Sequence, residues 1–200
     1  MDDVVSTALK IGEFILSNSN VEIGEVGKEQ GGKLKEETEG KKSGVPALVR
    51  RAKDFPMLAS ELGLSSALIF YISKAENQDV LFNSYKVFYS LLISKSGELE
   101  GDVKNNVKGV INSALKTDEG AGYDVYAGLT FALIGTKLDQ GFGLKPPEKG
   151  SSSEAFLVEA LKILKNTEES GKGFELQRRI MPYLIEIKRV MEVVGVAYKK

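Results

Sequence analysis

Apolar residues return every three or four positions along most of this 200-residue chain, the interval that gathers them on one side of an α-helix. In residues 3–18, Val4, Ala8, Ile11 and Ile15 share a face, with Asp2 and Asp3 placed to cap the first turn and complement its dipole. Residues 46–62 put Leu48, Ala52, Phe55, Ala59 and Leu62 on one stripe, between a first-turn proline, Pro46, and a glycine stop, Gly63. Pro56 interrupts that stripe. Proline lacks the backbone donor and crowds the preceding turn, so two helical pieces meeting near Phe55 are expected. Residues 65–75, with Leu68, Ile69, Phe70, Tyr71 and Ile72 in succession, are apolar nearly all round and predict a central, buried helix. A short strand would fit the same run.

The pattern continues with Leu81, Tyr85, Phe88 and Leu92 in residues 80–95, and with Val103, Val107, Val110, Ile111 and Ala114 in 102–116. Residues 123–138 form an apolar segment in which Gly128 and Gly135 let a neighbouring backbone come close. Ser153 and Glu154 open a helix with Phe156, Ala160, Ile163 and Leu164 inward, and Leu176, Ile180, Tyr183, Ile187, Met191 and Val194 point one way in 174–194. Two stretches break the rhythm. Residues 22–44 hold six glycines and eleven charges, too little apolar surface to offset the entropy of ordering, and predict a mobile loop. Residues 139–152, with Pro146, Pro147 and a serine run, predict the second. No pair of apolar runs is joined by a two-residue hairpin turn, and no 20–50-residue repeat is visible. The expected fold is all-α: a compact bundle of seven or eight helices in a single domain over 1–200, with long loops near 22–44 and 139–152.

Composition changes this picture mainly by subtraction. The chain has no His, Cys or Trp, which excludes zinc-finger ligands, thiolate nucleophiles, redox dithiols, haem-ligating histidine and the Ser-His-Asp triad. Absence of cysteine also excludes a disulfide framework and fits a reducing compartment. With no basic-then-apolar leader and no transmembrane span in sight, a cytoplasmic protein is expected. The glycines of 170–174 and 139–144 lack the lysine and hydroxyl of a phosphate-cradling loop and follow no strand, so no cofactor is expected. Glu36, Glu37 and Glu39 fall in the polar loop, and Asp118, Glu119 and Asp124 surround glycines at a helix start. Capping and solvation account for both groups better than metal binding or catalysis. The aromatic groups Tyr85, Phe88, Tyr89 and Tyr123, Tyr126, Phe131 have the spacing of core packing rather than of base stacking.

Net charge is -1, yet the charge is unevenly distributed. Residues 45–75 hold four basic and two acidic groups and 172–200 hold seven and three, whereas the rest of the chain is acidic. All five arginines lie in those two segments. Arg178 and Arg189 are eleven residues apart, on the side opposite the apolar stripe and about 16 Å from each other if the helix continues through Pro182. Arg50 and Lys53 similarly oppose the Leu48 stripe. Together the two segments are expected to form a shallow basic groove for a nucleic-acid backbone, since the arginine fork suits phosphate oxygens. Glu175 with Arg178 or Arg179, Glu186 with Arg189, and Arg50 with Asp54 have the spacing of ordinary helix-surface ion pairs, which would reduce that groove to solvated helix faces.

The run VRRAKDFPMLASELGLSSALIFYISKA and the closing ELQRRIMPYLIEIKRVMEVVG resemble the small subunit of type III-B (Cmr) CRISPR RNA-guided effector complexes. The first shares a basic helix start, a proline three residues after Lys53, and Leu-Gly-Leu leading into an apolar helix that ends in Ser-Lys. The second shares an Arg-Arg pair before Tyr-Leu and an Ile-Lys-Arg step. The resemblance covers about 50 of the 200 residues. It implies a non-enzymatic helical protein that stacks in several copies beside the other Cmr subunits, its basic surface along the backbone of crRNA paired with target RNA. It marks Arg50, Arg51, Lys53 and Lys74 in the first stretch and Arg178, Arg179, Lys188 and Arg189 in the second as RNA-binding, with no catalytic residue, metal or membrane contact. Residues 22–44 and about 97–150 are additional length by that comparison. The small subunit of another CRISPR effector type, or a helical protein-protein adaptor without nucleic-acid contact, is the alternative, and an acidic metal-dependent enzyme a more distant one.

Overall fold

A computed structural model describes residues 2–19, 44–95, 97–99, 101–138, 142, 144 and 150–198. Among these the chain is an all-α bundle of eight helices without strands: α1 (Asp2–Asn18), α2 (Ala47–Leu62), α3 (Leu64–Lys74), α4 (Gln78–Ile93), α5 (Gly101–Leu115), α6 (Glu119–Lys137), α7 (Ser153–Glu169) and α8 (Gly173–Ala197). The loops expected at 22–44 and 139–152, with Glu36, Glu37 and Glu39, lie outside the described residues apart from Gly44, Phe142, Leu144 and 150–152. Local chemistry sets the helix starts. The Asn77 side chain accepts from the Asp79 and Val80 amides, Asp118 from Gly120, and Ser152 from Ala155.

One apolar cluster draws on all eight helices, and α6 is at its centre. From Gly120 to Ile134 every described side chain of α6 except Tyr123 is buried, because α2, α3, α4, α5 and α8 all pack on it. Helices α4 and α6 run in parallel and approach closely at Gly128, which lies against the Leu81 carbonyl and Ser84, while Gly135 lies against Tyr89. Phe55, Tyr71 and Tyr126 meet edge to face or tilted at 4.6–5.8 Å, and Phe156 stacks on Tyr85 at 4.4 Å. The aromatic groups of 85–89 and 123–131 thus serve the core. The Tyr126 hydroxyl is fully buried within this cluster and has no hydrogen-bond partner among the described residues, a desolvation penalty that phenylalanine avoids. Tyr126→Phe is therefore expected to raise stability by about 1 kcal/mol in urea unfolding.

The sequence expectations for Pro56, for α3 and for Leu62 are corrected. Pro56 does not divide α2, which is one helix across it; the proline is buried in the seam, and the packing of α6 and α8 along α2 offsets one lost backbone bond. Helix α3 is not buried all round: Leu64, Ala67, Leu68 and Tyr71 face the core, but Ile69 and Phe70 are exposed, since neighbours cover only one side. Leu62 is likewise exposed, one residue before the chain turns at Gly63, where φ is 87°. Residues 97–150, which the resemblance sets apart as additional length, contain α5 and α6 and so contribute the middle of the core.

Candidate nucleic-acid interface

The arginine-bearing helices α2 and α8, far apart in sequence, lie side by side. Gly195 lies against Val49 and Gly63 against Gln177, so the pair is antiparallel. On the far side of α8, α1 runs parallel to it: Gly12 lies against Val190, and Asp3 accepts from the Tyr183 hydroxyl at 2.7 Å. Asp3 also pairs with Lys137 of α6 at 2.9 Å, and these two bonds hold its carboxyl below the ordinary value. Partial burial first, and the Asp3 carboxylate second, push the Tyr183 hydroxyl up to about 12. Helix α8 is thus clamped between two neighbours with its outward side exposed.

Antiparallel packing separates residues that the sequence placed in one groove. Arg178 and Arg179 lie near the α2 C-terminus at Gly63, thirteen residues from Arg50, or about 20 Å along the axis. The first segment itself splits by helical angle. Val49 faces α8; Lys53, one turn on, stays on that flank, but Arg51 points about 160° away. It inserts among α3 and α6, its guanidinium 4.1 Å from the centre of the Tyr123 ring, with a 2.8 Å bond to the Tyr123 hydroxyl and Asp54 at 3.8 Å. The Tyr71 hydroxyl donates to the Arg51 carbonyl. Arg50 donates to the Thr117 carbonyl, joining α2 to the link before α6, and the exposed Lys74 lies 5.9 Å from the Phe70 ring. Arg50 and Arg51 thus hold α2 to the α5–α6 side. Asp54, spaced to pair with Arg50, is also approached by Arg51.

The other five do not share one face: Lys53 and Lys188 flank the α2–α8 seam, Arg178 and Arg189 turn outward on α8, and Arg179, one turn before Tyr183, lies on the α1 flank, about 180° from Lys188. Lys188 is half-buried and precedes Gly195 by two turns, so it lies over the same seam as Lys53, within about one turn of it. Arg189 turns outward beside it, bonded to Glu186 on its own helix, and Arg179 pairs with Glu175 at 3.3 Å. Arg178 is exposed and, among the described residues, has no carboxylate partner. Because α8 continues unbroken through the exposed Pro182, Arg178 and Arg189 lie on one outward stripe, about 16 Å apart. The single groove of eight residues does not form: Lys53, Arg178, Lys188 and Arg189 remain together, Arg179 turns to the α1 flank, Arg50 and Arg51 are bonded to the α5–α6 side, and Lys74 lies beside Phe70 on α3.

Two features of this surface were not singled out in the sequence. Phe174, Ile185, Val193 and Val196 are exposed on α8 among the arginines, and Val5, Leu9 and Leu16 form an exposed stripe on adjoining α1. Their departure from the inward stripe is legible on a helical wheel, but their exposure follows from which neighbours α8 has. Asp118 and Asp124 act within the fold, the first capping α6 and the second accepting from the Asn77 amide. Among the described residues no three Asp or Glu side chains gather as metal ligands, and no helix is long and apolar enough to cross a membrane. Compared with models of protein families, with curated proteins and with solved structures, the chain matches none.

Proposed function

We propose that this chain is a non-catalytic helical subunit of a cytoplasmic RNA-guided complex of the type III-B CRISPR kind, lying along the backbone of guide-paired RNA. The contact is narrower than the eight positions of the sequence resemblance. Lys53, Arg178, Lys188 and Arg189 carry it, while Arg50 and Arg51 are bonded within the fold, and Arg179 and the exposed Lys74 lie on other faces. The supporting observation is the pair Arg178 and Arg189, facing outward along an uninterrupted α8 that two neighbouring helices hold in place. That the two family-like stretches, α2–α3 and α8, pack against each other supports the same assignment. The carboxylate of Glu186 beside Arg189 does not remove that side chain from use. Exposed same-helix pairs are worth below about 1 kcal/mol, and a phosphate oxygen can replace the carboxylate.

A second reading, a protein-protein adaptor, draws on the exposed apolar residues of α1 and α8. Charge reversal at Arg178 and Arg189 separates the two. In the complex purified with its native partners, Arg178→Glu with Arg189→Glu is expected to lower bound RNA at least tenfold and to flatten its salt dependence by about two phosphate contacts. Unchanged RNA retention and salt slope would overturn RNA contact and leave the adaptor.

A further inference from the structure

Phe174 is 77% exposed, the most exposed large apolar side chain among the described residues. The chain has nine phenylalanines, and the others described are buried or packed against neighbours, apart from Phe70, which is 39% exposed beside Tyr71 and Tyr123. Among the described residues nothing packs on Phe174: the inward stripe of α8 begins at Leu176, and Phe174 is in the first turn, on the outward side. Arg178 follows four residues later on that side, so their Cβ atoms are neighbours at about 6 Å. Lys172, exposed, immediately precedes the helix. The Glu168 carboxylate of α7 lies against Gly173, where a Cβ would stand.

An open aromatic face one turn from an outward arginine is the arrangement that holds unpaired nucleotides, the ring stacking on a base and the guanidinium meeting the adjoining phosphate. A base within a duplex has both faces covered by its neighbours and offers the ring nothing. We infer that Phe174 is a stacking platform for an unpaired nucleotide, so that this end of α8 reads single-stranded RNA where the rest of the face follows backbone alone. This rests on the RNA-contacting function proposed above.

The chain has no tryptophan, so Phe174→Trp supplies a single fluorescent reporter at the position in question. The purified full-length variant is titrated at low salt with a single-stranded oligouridylate and with a blunt RNA duplex of equal length, each carrying a label for anisotropy. The expected result is binding of both RNAs by anisotropy, with tryptophan quenching by the single strand only. In parallel, Phe174→Ala should weaken single-strand binding about tenfold and duplex binding less than twofold, while its circular dichroism and urea midpoint stay those of the parent. If both RNAs bind but the tryptophan is unquenched and Phe174→Ala changes neither affinity, the platform is overturned and the backbone contact stands. If neither RNA binds, the RNA-contacting function falls with it, and the exposed ring belongs to a protein contact.

Discussion

Replacing Gly128 with valine is expected to destabilise the bundle by about 3 kcal/mol or more, enough to unfold a marginal protein, with Gly128→Ala costing about 2 kcal/mol. A Cβ built there would come within 2.5 Å of the Leu81 carbonyl oxygen, 2.7 Å of the Ser84 Cβ and 2.9 Å of the Tyr85 amide nitrogen. Two of these are backbone atoms of α4, which cannot rotate away as a side chain would, so α4 and α6 must separate. Their contact is the most extensive helix pairing in the core, and its loosening would be felt by every element packed on α6. Gly109 in α5 provides the opposite case on the same protein. A Cβ there meets open space, and Gly109→Ala should stabilise by about 1 kcal/mol through helix propensity alone. Urea unfolding of the three variants measures all of this. A Gly128→Ala protein as stable as Gly109→Ala would show that the close approach is absent in solution.

That a glycine would allow close approach at 128 was legible in the sequence, as were the helical class, most helix spans and the greater part of the inward stripes. Periodicity is a property of each helix by itself. What it could not supply was which helix lies against which, and the errors have that single origin. Helix α3 is apolar enough to be central, yet α6, flanked on all sides, takes that place and leaves Ile69 and Phe70 in the open. Pro56 is a helix breaker in isolation and is tolerated where neighbours hold both halves of α2. The same limit governs the candidate site. Two successive arginines, Arg50 and Arg51, are indistinguishable from surface charges until Tyr123 and Tyr71 arrive from other helices to enclose the second. Composition could suggest that arginine segregation means polyanion binding; only the antiparallel seam shows that Arg50 and Arg178 belong to opposite ends of it.

Stability is expected to fall as pH rises from about 4 to 6, by about 3 kcal/mol from one side chain, Asp124. This carboxyl is 2% exposed, and burial pushes its pKa from 3.8 up to about 6; the charges of Glu76 and Asp118 add to that rise, while the backbone amides of Asn77 and Glu76 oppose it. The sign follows from proton binding. Between 3.8 and about 6 the folded protein keeps a proton that the unfolded chain has released, so raising pH favours unfolding, and above about 6 the cost of the buried charge is fully present. Asp3, whose native value is lowered, contributes in the opposite direction, and that contribution is already complete above its unfolded pKa near 3.8. Asp124→Asn removes the titration while keeping a carbonyl oxygen for the Asn77 amide, which both carboxylate oxygens meet at 3.2 Å. The difference in unfolding free energy between parent and variant should shift by about 3 kcal/mol in favour of the variant between about pH 4 and 7. A difference that stays constant across that range would mean the carboxyl ionises at its ordinary value, and that the start of α4 opens readily enough for water to solvate it.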